Sequence, residues 1–335
     1  STGHMDGRAK VARKLAVLDC HRSGFCGPLP LARPFADGRP VCGLCITRWP
    51  RIPNMAKAVV PAERLSPSLA AWRVWDLGLP LQAPPRLGLQ TAQGSAHAIF
   101  EINSNEHVRN PLLARIRTQP TRSIEGGFHQ EIAAWEAAAD AGLAPKLVYV
   151  DEQNQVAICH KAQHPQIPVD AETLGRLCKQ IYALPAAGPR LQLRADIKTY
   201  LGAMSATAQR AWQSAMLACK VDAALSLLER DTTHFCHNGL TAGNLMSDDR
   251  QLMAIDWEYA ALGSRYFDIA IAAGSLESRE RDRLIDIVFA DTVDDTLVRA
   301  GRRVASLVTA LWQTQFTPLE APEPSAWTSQ REMRE

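Results

Sequence analysis

The chain has 335 residues, 46% of them hydrophobic, and 37 Lys+Arg against 35 Asp+Glu, a formal charge of +2. That length suits about two domains of ~150 residues with a large core, and the near balance of charge excludes a dedicated nucleic-acid binder, which would carry a basic excess on one face. Apolar runs fall far short of the ~20 residues a membrane-spanning helix needs, and no signal-peptide pattern is visible. The expectation is a cytoplasmic protein with no nucleic-acid partner and no membrane span.

Residues 1–5 (STGHM) read as the remnant of a cleaved tag. Residues 6–54 carry nine Lys+Arg against three Asp, with six Pro, five Gly and neither Glu nor Gln. Without helical or alternating periodicity, this stretch reads as a mobile leader, or as sequence upstream of a natural start at Met55. A rival reading uses Cys20, Cys26, Cys42 and Cys45, spaced C-x5-C-x15-C-x2-C. Only the second pair has the two-residue gap of a zinc knuckle. Cys159, Cys178, Cys219 and Cys236 are scattered in apolar contexts, as reduced buried thiols would be.

From residue 65 the pattern becomes regular. LGLQTAQGSAHAIFEIN, LLARIR and KLVYVDEQNQVAICHK are short alternating or β-branched runs broken by Gly, Asn and Asp, hence strands and hairpins. Between the second and third lies HQEIAAWEAAADAGLAP, where Ile132, Trp135 and Ala139 recur at helical spacing and Gly142 and Pro145 close the helix. Beyond residue 170 the chain turns helical. Leu174, Leu177, Ile181 and Leu184 form one stripe; Trp212, Met216, Cys219 and Leu227 belong to another long segment; 284–289 and 297–312 add two more. The fold class is therefore α+β, with a β-rich lobe over 65–165, a helical lobe over 166–320 and a tail over 321–335.

The richest segment is THFCHNGLTAGNLMSDDRQLMAIDWEYAALGSRYFDIA. It places His237 seven residues before Asn244, then a turn at Asp248 and Asp249, an apolar strand over 252–255, and Asp256 at the end of that strand. An amide oxygen and a carboxylate are hard ligands suited to Mg²⁺, so Asn244 and Asp256 can build a metal-phosphate site. Taken singly, each could instead cap a turn or sit on the surface.

Together these residues resemble the choline kinase and aminoglycoside phosphotransferase group of the protein-kinase-like fold. CHNGLTAGNLM is similar to its catalytic loop, H-x-D-x-x-x-x-N, and AIDWEYA to its I-D-[WF]-E-Y segment. ARI at 114–116 resembles the strand that makes Arg115 the nucleotide-phosphate cation, with Glu131 its helical ion-pair partner. IYALP at 181–185 puts Tyr182 in a family His position, and FDIA at 267–270 makes Asp268 the brace of the catalytic loop. The resemblance implies a bilobal kinase-like fold, ATP and Mg²⁺ as cofactors, and phosphoryl transfer to a small-molecule hydroxyl.

Two departures stand out. The family's catalytic Asp position holds Gly239, and no adjacent carboxylate replaces it. The nucleotide loop is reduced to QTAQGSAHA, leaving Gly94 and Ser95 to cover phosphate with backbone N–H groups. Phosphoryl transfer rests mainly on positioning and charge, so a chain without its base is expected to be an impaired phosphotransferase or a non-catalytic nucleotide- or ligand-binding pseudokinase. DWEYA favours a choline-, ethanolamine- or thiamine-like acceptor, with Trp257, Glu258, Tyr259 and Trp312 as candidate substrate contacts.

Overall fold

The computed structural model describes residues 62–93, 97–104, 111–118, 127–248 and 251–315. The leader with its four cysteines, Gly94, Ser95 and the tail lie outside the described residues. Alternating apolar positions build an antiparallel sheet from β1 (Arg86–Gln93), β2 (His97–Asn103), β3 (Leu112–Arg117), β4 (Leu147–Asp151) and β5 (Val156–His160), in spatial order β1-β2-β3-β5-β4. The period-2 geometry of a strand sends successive side chains to opposite faces. On β2 and β3, Ala98, Phe100, Ile102, Leu112, Ala114 and Ile116 enter a small core with Leu65, Trp72, Trp75 and Leu81. His97 and Arg115 have the opposite parity and share the other face, with Ile99 paired to Arg115 and His97 to Arg117. A short helix, α1 (Ser66–Ala70), lies over the small core's side of the sheet through a Ser68 hydroxyl bond to Asp151, 2.9 Å.

Helix α2 (Gly127–Asp140) buries Phe128, Ile132, Trp135 and Ala138 in a second, larger core. That core is completed by α3 (Ala171–Tyr182), α4 (Leu193–Gly202), α5 (Ala206–Ala218), α6 (Val221–Arg230), α7 (Arg265–Ala272), α8 (Ser278–Phe289) and α9 (Asp295–Gln313). Side-chain caps mark several starts. Asp170 and Thr173 form a capping box on α3, and Ser205 and Asp294 cap α5 and α9. Two short ribbons lie at the junction with the sheet lobe: β6 (His234–Cys236) pairs with β9 (Ala261–Gly263), and β7 (Leu245–Ser247) with β8 (Leu252–Ala254).

The helical expectations need two corrections. The stretch read as one long segment through Trp212 and Leu227 is two helices, broken where Lys220 takes a left-handed backbone, φ 51°. Helix α4 has no expectation behind it, because its buried Leu193, Asp196, Ile197, Tyr200 and Leu201 include a carboxylate that disguises the apolar stripe. Cys159, Cys178, Cys219 and Cys236 are buried free thiols, and burial pushes Cys159 up to about 12. No helix among the described residues is long and apolar enough to cross a membrane.

Helices α7 and α9 cross in backbone contact at Gly301. A Cβ there would lie 2.3 Å from the Tyr266 carbonyl oxygen, a fixed atom of α7. Gly301→Ala is therefore expected to destabilise the protein by about 1–3 kcal/mol, read as a lower midpoint in chemical denaturation; an unchanged midpoint would show that the two helices can separate freely.

Candidate active site

The site grows from the sheet face that carries Arg115. Its guanidinium bonds Glu131 through Nη1 and Asp256 through Nη2, joining residues from β3, α2 and the turn after β8. Nη2 also lies 3.0 Å from His97 Nδ1. Arginine can only donate, so His97 accepts at Nδ1 and carries its proton on Nε2, which faces Glu131 Oε1 at 3.4 Å. Burial, then the Arg115 charge, lowers the His97 pKa, so the imidazole is neutral. The guanidinium also stands over the Trp135 ring, 5.5 Å from its centroid.

Glu131 is almost fully buried, which by itself would favour its neutral form. The Arg115 charge, with His97 and Arg117, outweighs that and holds its carboxyl at about 2. Arg117 Nη1 lies 3.4 Å from Glu131 Oε2. Glu258 shows the opposite balance: burial first, then repulsion from Asp256, raises its carboxyl, and His97 Nδ1 is 4.0 Å away. Ligand atoms of His97, Glu131 and Asp256 lie within 4.8 Å of one another, a spacing a metal could use. Here the Arg115 guanidinium occupies that space, and the carboxylates are neutralised by it.

Asp256 reaches this cluster because its backbone is left-handed, φ 69°, at the start of the Trp257–Tyr259 3-10 turn. Its side chain is 33% exposed, whereas that of Glu131 is 1% exposed. Asp256 is thus the carboxylate of the pair that a ligand can meet. Across the β7–β8 ribbon, the Ile255 N–H donates to the Asn244 carbonyl at 3.0 Å, which sets Asn244 beside the residue preceding Asp256.

The loop from His237 to Asn244 is tied at each end. His237 is fully buried; its Nε2 donates to the Ile255 carbonyl at 3.1 Å and its Nδ1 accepts from the Gly239 N–H at 3.3 Å. Burial pushes its pKa down to about 4. Both nitrogens of His237, expected among the catalytic groups, are engaged in tying the loop to Ile255 and Gly239. Asn238, left-handed with φ 60°, donates its backbone N–H to Asp268 Oδ1 at 2.6 Å and its side-chain amide to the Tyr259 carbonyl at 3.0 Å. Asp268 Oδ2 accepts from the Tyr182 hydroxyl at 2.9 Å. Burial raises the Asp268 carboxyl to about 6 against the pull of those two donors. Asn244 Nδ2 donates to the Gly239 carbonyl at 2.9 Å, closing the loop and directing its amide oxygen away from it.

Gly239 does not occupy a conformation that demands glycine. A Cβ there would meet Tyr259 Cδ2 at 3.6 Å and His237 Nδ1 at 3.7 Å, ordinary van der Waals contacts. The Tyr259 ring therefore borders the space a side chain at 239 would fill.

Arg115, Glu131, Asp256 and Glu258 meet in one cluster, and His237, Gly239 and Asn244 lie in the loop next to it, which Asp268 on α7 braces. The aromatic expectations fare differently. Trp257 is fully buried, its ring against Phe235 and His237 and its Nε1 donating to the Ala254 carbonyl. It offers no face to a substrate; apolar burial beneath the loop prevails over cation binding. Glu258 is likewise corrected: it is 4% exposed and belongs to the ion cluster. Trp312, near the end of α9, packs against the larger core. Gly94 and Ser95 lie outside the described residues. His97 and Arg117 have no motif to announce them; only the β2–β3 register reveals that they share the face of Arg115.

A small antiparallel sheet lobe joined through this ion cluster to a helical lobe defines a bilobal, protein-kinase-like fold. The sequence pattern of the phosphotransferase enzyme family matches residues 120–307, more than half of the chain, and the protein belongs to that family. Among solved structures, the chain is similar to a choline/ethanolamine kinase family protein from Mesorhizobium loti, at 18% identity and TM-score 0.52 over 81% of this chain and 93% of that one. It is also similar to the choline kinase LicA from Streptococcus pneumoniae, at 14% identity and TM-score 0.55 over 74% and 92% of the two chains. A third is an ethanolamine kinase from Plasmodium vivax, at 13% identity and TM-score 0.53 over 74% and 81%. At such identities the likeness is one of fold. No curated protein sequence matches the chain.

Proposed function

We propose that the protein transfers the terminal phosphoryl group of MgATP to the hydroxyl of a small choline-, ethanolamine- or thiamine-like molecule, at a rate lowered by Gly239. The observation that carries this reading is the bonding of one guanidinium, Arg115, to both Glu131 and Asp256 beside the His237–Asn244 loop. Phosphoryl transfer has a loose transition state and asks the protein mainly for positioning and neutralisation of charge. In this reading Arg115 moves from Asp256 to the nucleotide phosphates while Glu131 holds its other edge. His237, Asp268 and Tyr182 keep the loop in register with Asp256.

The residues present fit Mg²⁺. The carboxylate of Asp256 is accessible, and the amide oxygen of Asn244 is left over once its nitrogen bonds Gly239. Both are hard oxygen donors. Asp256 and Asn244 would hold the ion, which would supply Lewis-acid neutralisation of phosphate charge.

A second reading, a nucleotide-binding pseudokinase, is favoured by the combination of Gly239 with a His237 whose nitrogens are both engaged. Calorimetric titration with MgATP, followed by ADP release in the presence of choline, ethanolamine or thiamine, separates the two. The first reading expects binding and slow consumption, with at least a tenfold loss of nucleotide affinity in Asp256→Asn. Binding without consumption favours the second reading. Absence of nucleotide binding overturns both.

A further inference from the structure

Helices α7, α8 and α9 frame a cavity of about 190 Å³ that the candidate active site does not use. It exists because α9 approaches α7 to backbone contact at Gly301, while Ala270 and Ala305 on the facing surfaces beyond that crossing are too small to close the gap. Tyr266, Ile269 and Ala270 line it from α7 at helical spacing. Asp268 lies about half a turn from that face and turns instead to the loop, where it accepts from the Asn238 N–H. The cavity is thus on the far side of α7 from the active site.

Its two ends differ in chemistry. On α8, Arg281, Ile285 and Phe289 recur every four residues, so one stripe runs from a cation to an aromatic ring. At the apolar end Phe289 stacks on Tyr266, ring centroids 4.1 Å apart, and Ile269, Ile285 and Phe289 are buried. At the other end Arg302 of α9 joins Arg281. Its Nη2 donates to Asp282, the residue after Arg281, at 2.6 Å, which puts both guanidiniums at the same end of α8. The Arg281 Nε donates to the Leu276 carbonyl at 2.9 Å and so holds that guanidinium in place. The Arg302–Asp282 pair is open to solvent, with side chains 51% and 76% exposed, and such a pair is weakly held. Among the described residues, no acidic side chain lines the cavity.

We propose that this cavity binds a monocarboxylate with an unbranched apolar tail, the tail lying along Ile285 toward Phe289 and the carboxylate held by Arg302 and Arg281. Guanidinium forks match a carboxylate in geometry and charge, and a floor of aliphatic and aromatic side chains suits hydrocarbon. The size fits, since an apolar cavity of ~150 Å³ admits benzene, and a chain of about six to eight carbons can therefore enter this one. The walls are set before a ligand arrives: Tyr266 is fixed by its stack on Phe289 and by its hydroxyl, which accepts the Asp294 N–H at 3.2 Å. The site stands apart from the phosphotransferase reading, because none of the residues assigned to phosphate or metal lines it.

Calorimetric titration of the full chain with octanoate, and with octan-1-ol as the uncharged counterpart, tests it. Saturable binding of octanoate is expected, about tenfold or more tighter than the alcohol, with a melting temperature that rises with octanoate concentration. Arg302→Gln should weaken octanoate about fivefold or more and leave octan-1-ol within about twofold, since only the acid meets the guanidinium. Ala270→Leu, which fills the cavity from α7, should weaken both ligands about tenfold or more. A non-saturating response to octanoate, equal affinity for acid and alcohol, undiminished octanoate affinity in Arg302→Gln, or undiminished binding in a folded Ala270→Leu overturns the assignment. If Ala270→Leu does not fold, Arg302→Gln decides alone, because its exposed side chain is no part of the core.

Discussion

Gly239→Asp is expected to raise the turnover of phosphoryl transfer by about 10²–10⁴-fold, the contribution of a positioned general base, and to leave nucleotide affinity nearly unchanged. The two effects separate because they belong to different states. Arg115, Asn244 and Asp256 are assigned to the metal and phosphates, which are bound in the ground state. A carboxylate at 239 would face the acceptor hydroxyl and act only as that hydroxyl attacks, so its benefit enters kcat. The structure accommodates the change. Gly239 is outside the left-handed region, and the new Cβ would touch Tyr259 Cδ2 at 3.6 Å and His237 Cε1 at 3.9 Å without overlap. Replacing a glycine also rigidifies the loop, a stabilisation of about 0.4–1 kcal/mol, which Gly239→Asn reproduces without supplying a base. Steady-state ADP release in the three proteins decides it. Equal rates in the Asp and Asn variants would remove the missing-base explanation.

Arg115→Met is expected to be the most damaging single substitution at the junction of the lobes. Methionine fills much of the volume but leaves Glu131 buried and without its main cation, a situation that costs about 3–5 kcal/mol. The loss should depend on pH. In the wild type the Glu131 carboxyl is held at about 2, below its ordinary 4.5, so its ion pair stabilises the fold fully above pH 4.5 and progressively less as pH falls toward 2. In the variant, protonation instead relieves the stranded charge. The stability gap between the two proteins should therefore be largest near neutral pH and narrow on acidification. Denaturant titrations at pH 7 and pH 5 measure it, and adding Glu131→Gln to the variant should restore part of the loss through the coupling of the pair. A cost under ~1 kcal/mol at pH 7, where even an exposed pair would give as much, would mean the cluster is not the organising centre of the cleft.

Local patterns disclosed much of this protein. The strand runs, the α2 helix and the stripe of α3 follow from periodicity alone. The His237–Asn244 and Asp256–Tyr259 spacing carries the family resemblance, because it places polar side chains at set positions on a loop and at a strand end. Asp268 and Tyr182 were legible for the same reason, and the structure joins them in one hydrogen-bonded brace.

Other features depend on contacts between distant segments. Position in sequence gave His237 the look of a catalytic group, yet the fold occupies both of its nitrogens. Trp257 and Glu258 looked like substrate contacts, but the 3-10 turn directs them inward. His97 is an ordinary strand histidine until the β2–β3 register sets it on the face of Arg115. Asp196 interrupts the apolar pattern of its helix and is buried with it only because α4 packs into the larger core. The sequence by itself determined the class of chemistry, since the residue types and spacings that hold a phosphate site are local. The tertiary structure decided which carboxylates are neutralised, which remain accessible and which stand unpaired, because burial and charge pairing are set by neighbours as far apart in the chain as Arg115 and Asp256.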